Sequence, residues 1–159
     1  MASVMGLQAI LEVYEPDPAN LLDILHDVQE ADERNHLSRE ALSDVAEYVG
    51  LPASSVISSA TFYSMFSLVP RGKHIIRICE SPPCQLVGAE SLLDILVETL
   101  GVDVGETTQD GAFTLETSSC LGVCGVAPAM MIDEELYGNL TKERLAEILE
   151  AARSDDDGS

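Results

Sequence analysis

Lysine and arginine are scarce in this chain: 8 of them stand against 28 aspartates and glutamates in 159 residues, for a formal net charge of −20. A surface of that sign repels phosphate backbones and anionic lipid, so nucleic acid is not expected as a partner. The charge alone reads as a solvated acidic surface, with adaptation to high salt or a basic docking partner as the other readings. Long apolar runs are also missing. SLLDILVETL is broken by carboxylates well before the ~18 residues a bilayer span needs, which excludes direct membrane insertion through such a helix. No G-x-G-x-x-G and no Walker A stretch occurs, so the chain is assigned no nucleotide site. Histidine is limited to His26, His36 and His74, scattered without a matching acid or nucleophile, and they read as surface or packed residues rather than catalysts.

Cysteine is sparse as well, and here the scarcity is informative. The supply is Cys79, Cys84, Cys120 and Cys124, in pairs spaced C-x4-C and C-x3-C with 35 residues between them. MASVMGLQAI has neither a basic n-region nor a long apolar h-region, so the expected setting is cytoplasmic and reducing. There, clustered cysteines serve more often as metal ligands or redox groups than as disulfides.

The 46% of hydrophobic residues are enough for a core. In the first 70 residues, Leu21, Leu22, Ile24, Leu25 and Val28 recur at helical spacing behind Asn20, an N-cap type. Ser38 starts a second helix carrying Leu42, Val45, Ala46 and Val49, and Gly50 ends it. Pro52 suits the first turn of a third, running into SSVISSATFYSMF. Phe62, Tyr63 and Phe66 then fall at helical spacing and read as core rather than as an electron path. VPRG at 69–72 reads as a hinge.

From Lys73 the pattern changes. HIIRIC is β-branched and continuous, as in a buried strand, and ends on Cys79. Gly88 to Leu100 is an amphipathic helix, followed by an expected strand around 102–108, the turn QDG, and a strand AFTLETSSC ending on Cys120. AMMID and ELYG read as a hairpin, and Thr141 opens a last helix with Leu145, Ile148 and Leu149 buried. Arg71, Lys73 and Arg77 alternate before Cys79; they read as a solvated strand face, with partner docking as the second reading. The sum is an α+β chain: a three-helix bundle over 1–70, a small mixed sheet covered by helices over 71–152, and an acidic disordered tail over 153–159. Both cysteine pairs lie on loops leaving strand ends.

Four thiolates without a nearby histidine suit zinc or a 2Fe-2S cluster, while disulfides and unlinked core cysteines remain as other readings. Structural zinc favours tight two-residue knuckles, whereas gaps of four and three residues span a wider object in which each pair holds one iron, so spacing favours the cluster. Gly122 and Gly125, flanking Cys124, permit the close backbone approach that N–H···S bonding needs.

Cys79-x4-Cys84 together with CLGVCGVAP, the following Met-Ile-Asp, YGNLT and the upstream ATFYSMF at 60–66 resembles the complex I 24 kDa subunit family, the E-type subunits of NADH-quinone oxidoreductases. The resemblance covers about residues 15–152. It implies an N-terminal helical bundle before a thioredoxin-like domain, and one 2Fe-2S cluster ligated by Cys79, Cys84, Cys120 and Cys124. It further implies an electron-transfer subunit of a multisubunit NAD(P)H-linked oxidoreductase, in which FMN and NAD(P) sit on a partner flavoprotein subunit alongside further iron–sulfur subunits. A zinc-stabilised interaction module without redox activity is the alternative.

The departure from the family pattern is SPP, where relatives usually carry small or polar residues with their N–H groups. Hydrogen bonds to cluster sulfurs stabilise the more negative reduced form and raise the potential. Pro82 and Pro83, lacking N–H, are therefore expected to hold the potential low, against the competing reading that they simply pre-order the ligand loop. Replacing both by alanine is expected to shift the midpoint upward in a redox titration; an unmoved midpoint leaves only the pre-ordering role.

Overall fold

A computed structural model describes residues 4–154, and the chain divides into two compact units between Arg71 and Gly72. The first unit is helical: α1 (Val4–Leu11), α2 (Leu21–Glu30), α3 (Arg39–Val49) and α4 (Ala53–Phe62). The three expected helices are present and α1 precedes them. Ile24, Leu25, Val28, Val45 and Val56 lie at 0–1% exposure in one core, each burial contributing about 1.5–3 kcal/mol.

Caps follow chemistry in two cases and depart in one. The Ser38 hydroxyl accepts from Ala41 N–H at 3.1 Å, and α3 closes on Gly50 in the left-handed conformation. Asn20 makes no side-chain cap; Asp17 instead accepts from Ala19 N–H at 2.8 Å in the short turn that leads into α2. The aromatic expectation needs correction at Phe62. Helix α4 ends there because Tyr63 turns to extended backbone, so Phe66 joins the core at 7% exposure while Phe62 is 79% exposed.

Arg71 also corrects the basic-strand reading. It is 6% exposed, its Nε–H donates to the Asn35 carbonyl at 2.9 Å, and its N–H donates to the Arg34 carbonyl. The same turn is braced by Asp32, whose Oδ1 accepts from Arg34 N–H at 3.0 Å and contacts His36 Nδ1 at 2.6 Å.

The second unit holds β1 (His74–Cys79), α5 (Pro82–Leu86), α6 (Ala89–Leu100), β2 (Phe113–Ser118), β3 (Met130–Ile132), β4 (Glu135–Tyr137) and α7 (Lys142–Ser154). Sheet order is β2-β1-β3-β4, with β1 parallel to β2 and the other neighbours antiparallel. Central β1 is buried at four of its six positions in near-continuous fashion, as expected of a strand covered on both faces. Ile76, Ile78, Leu115 and Met130 form the core with Leu96, Leu145 and Leu149.

The strand expected at 102–108 does not form. A single bridge joins Thr107 to Thr114, because Gly105 N–H and Thr108 N–H donate to the Leu115 and Phe113 carbonyls across a tight loop. Arg153 and Ser154, expected in the tail, complete α7; the rest of that tail lies outside the described residues. Among the described residues no helix is long and apolar enough to cross a membrane.

Burial pushes the Asp32 carboxyl up, but the Arg34 N–H and then His36 outweigh it and hold it below the usual range. A depressed carboxyl stabilises the fold above the unfolded value near 4 and loses that contribution as pH falls through the folded value. Asp32→Ala is expected to cost about 1–3 kcal/mol at neutral pH. Its denaturant-unfolding stability should also fall less steeply than that of the parent as pH drops below 4.

Candidate metal centre

The register of β1 and β2 ends on Cys79 beside Ser118. Parallel neighbours leave a sheet at the same edge, so the segments carrying Cys84 and Cys120 start side by side. Glu80 N–H donates to the Ser118 carbonyl at 2.9 Å, and Cys79 N–H to the Ala129 carbonyl at 3.1 Å. The second cysteine segment is thereby tied back to the strand that opens the first.

The Pro-Pro stretch is helical rather than a stiff loop: Ser81 is the N-cap of α5 and Pro82 and Pro83 are its first two residues. Proline's fixed φ suits that position, and the missing N–H groups are ones a helix start leaves unpaired. Cys84, third in the helix, turns inward. Cys79 and Cys84 are each 2% exposed and pack with Ala89, Leu121 and Ala127. Cys120 and Cys124 are exposed, and all four are free thiols.

The buried pair is electrically polarised. Burial pushes the Cys79 thiol up, but the N–H groups of Ser81 and Leu121, the Cys84 thiol and the Ser81 hydroxyl outweigh it and hold it below the ordinary value. Cys84 is held above, first by burial and then by its bond to Cys79, against the Ala129 N–H; the charge of Cys124 also reaches it.

On the exposed side, Gly122 N–H donates to Cys120 Sγ at 3.4 Å. Gly122 does so at φ 76°, a conformation that glycine adopts without a Cβ penalty. Gly125 differs from the expectation, having an ordinary φ and open space around it. The Gly122 N–H aims at Cys120, and main-chain N–H groups favour the charged form of Cys79, a surrounding that suits thiolates bound to a cluster. Among the described residues no three cysteine, histidine or carboxylate groups stand close enough to hold a single ion.

The second loop is strapped from outside. Asn139 N–H donates to the Val126 carbonyl at 2.6 Å and Leu140 N–H to the Pro128 carbonyl at 3.2 Å. Gly138 makes this fit: a Cβ there would lie 2.5 Å from the Val126 side chain and 2.8 Å from its carbonyl oxygen.

The histidines have local partners instead. His36 meets Asp32, His74 Nδ1 meets Asp133 Oδ2 at 2.7 Å, and His26 Nε2 lies 2.9 Å from Met65 Sδ. Arg77 pairs with Glu116 at 3.0 Å, and with Arg71 buried the expected basic patch is not assembled. Sequence reasoning missed Ser81, the N–H groups of Leu121 and Ala129, and Gly138. Ser81 left a signal as a serine before two prolines, and Gly138 as a glycine just after a hairpin; the N–H groups left none.

Two cysteine-bearing segments start side by side at one end of a small mixed sheet in a chain of α+β architecture. The family model for thioredoxin-like [2Fe-2S] ferredoxins matches residues 7–153, and the chain belongs to that family. It is 43% identical over 122 residues to the second E-type subunit of NADH-quinone oxidoreductase from Rhizobium meliloti, covering 77% of this chain and 73% of that protein. It is 41% identical over 138 residues to the E-type subunit of NADH-quinone oxidoreductase from Pseudomonas aeruginosa, covering 87% and 82%. Among solved structures, an air-oxidized NAD+-reducing [NiFe]-hydrogenase superposes with a TM-score of 0.74 at 22% identity over 86% of this chain. This chain spans 23% of that hydrogenase chain, and the likeness is one of fold.

Gly138→Ala is expected to overpack the strap and cost about 1–3 kcal/mol in denaturant unfolding, and to lower the metal content of the purified chain.

Proposed function

We propose that the chain is a non-catalytic electron carrier that holds one 2Fe-2S cluster on Cys79, Cys84, Cys120 and Cys124. The observation that carries this reading is the convergence of both cysteine segments at the edge where β1 and β2 end. Family membership and the relatives from NADH-quinone oxidoreductases support the same reading. The cluster domain is residues 71–152, behind a helical bundle of residues 1–70. The setting is cytoplasmic, in a multisubunit NAD(P)H-linked oxidoreductase whose FMN and NAD(P) sites lie on a partner flavoprotein subunit beside further iron–sulfur subunits.

When bound, the cluster supplies storage of one electron over its two irons. The chain supplies the ligands and their surroundings. Buried Cys79 and Cys84 would hold the cluster away from water, and exposed Cys120 and Cys124 would hold it toward a partner. N–H groups from Ser81, Leu121, Ala129 and Gly122 compensate the negative charge gathered on sulfur.

Anaerobic reconstitution is expected to load two irons and two sulfides per chain and to give a visible band that bleaches with dithionite as a rhombic EPR signal appears. Serine at any one of the four cysteines should lower retained iron by more than about tenfold. Stoichiometric zinc without iron or sulfide would overturn the proposal and leave a zinc-stabilised interaction module.

A further inference from the structure

The main-chain ladder between the two cysteine segments stops just short of Cys84 and Cys120. Its last rung is the bond from Glu80 N–H to the Ser118 carbonyl, after which the first segment turns into α5 at Pro82 and the second runs on to Cys120. Among the described residues no main-chain hydrogen bond joins 81–87 to 119–127. Further along the second segment, Val126 N–H and Ala127 N–H donate locally, to the Val123 and Cys124 carbonyls. The far end of that segment is held by the strap from Asn139 and Leu140. The near end, at Cys120, has a side-chain tie instead.

Ser81 supplies that tie. It is the N-cap of α5, yet its side chain caps nothing. A capping hydroxyl accepts from the N–H of the second or third helical residue. The second is Pro83, which has none, and the third, Cys84, gives its N–H to the Ser81 main-chain carbonyl at 2.9 Å. Left without that role, the hydroxyl donates across to the carbonyl of Ser119, the residue before Cys120. Cys79 Sγ lies 3.9 Å from the same oxygen, and a thiol is the weaker donor. The serine hydroxyl is thus the short bond between the stretch joining Cys79 to Cys84 and the residue that leads into Cys120.

We propose that Ser81 is a positioning residue for the metal centre: its clasp on the Ser119 carbonyl sets where Cys120 stands beside Cys79, and with it how long the centre keeps its iron. The proposal rests on the cluster reading above. The clasp and the strap then hold the second segment at its two ends, with Cys120 and Cys124 between them. Pro82 and Pro83 take part by leaving the serine free of its own helix.

The test uses the reconstituted full-length chain. Ser81→Ala is expected to release iron to excess chelator roughly two- to tenfold faster, the range that one hydrogen bond is worth. It should also broaden the EPR lines of the dithionite-reduced cluster, as Cys120 takes more than one position. Ser81→Thr keeps the hydroxyl and should restore both the rate and the line shape. If the alanine variant holds too little iron to measure, Ser81→Thr against Ser81→Val gives the same comparison, since the pair differs by hydroxyl and methyl. The valine variant should then lose iron faster.

Iron release at the parental rate in the hydroxyl-free variants overturns the proposal. Faster release with unchanged EPR lines also overturns it, because Cys120 has then not moved, and so does equally fast release from the threonine variant, which makes the effect one of packing. Failure of the parental chain to take up iron and sulfide would instead remove the cluster reading, and this proposal with it.

Discussion

The parallel pairing of β1 with β2 is the constraint on which the placement of the four cysteines depends. Cys79 and Ser118 are register partners, so the two segments that carry the remaining cysteines begin as neighbours although 35 residues separate Cys84 from Cys120. An antiparallel pair would send them to opposite ends of the sheet. The helix α6 between the strands supplies the crossover that a parallel pair needs, and its apolar stripe offsets the packing cost by covering Ile76, Ile78 and Leu115. Fold and ligand placement are thus one arrangement rather than two.

The four cysteines are asymmetric in their exposure, as the proposed carrier role asks. Cys79 and Cys84 are sealed against Ala89, Leu121 and Ala127, whereas Cys120 and Cys124 are exposed. Main-chain N–H groups favour charge on Cys79, and on the outer side Gly122 N–H donates to Cys120 Sγ. The strap from Gly138 to Leu140 fixes the outer segment with main-chain hydrogen bonds.

Much of this was legible in the sequence wherever local periodicity decides. The strands at 74–79 and 113–118, the helix at 89–100, the Ser38 cap and the four cysteines all carry signals of residue type and spacing. Legibility failed where tertiary contacts decide. Val102 to Thr108 has strand-like composition, but its N–H groups close a loop onto Phe113 and Leu115. Phe62 has core chemistry, but the chain turns at Tyr63 and leaves it exposed. Arg71 looked like a surface cation and is buried on a carbonyl. At the metal centre the ligand candidates were visible, but the groups that tune them were not, because a main-chain N–H aimed at sulfur has no signature in side-chain identity. Ser81 is the intermediate case: serine before two prolines looks like a cap, and only the geometry shows that the prolines leave it nothing to cap.

Iron K-edge absorption of the anaerobically purified chain tests the central claim most directly. The account predicts irons surrounded by about four sulfurs with a single iron neighbour, and loss of that neighbour's signal when Cys79 or Cys120 is replaced by serine. Metal without an iron neighbour, or zinc in its place, would contradict it.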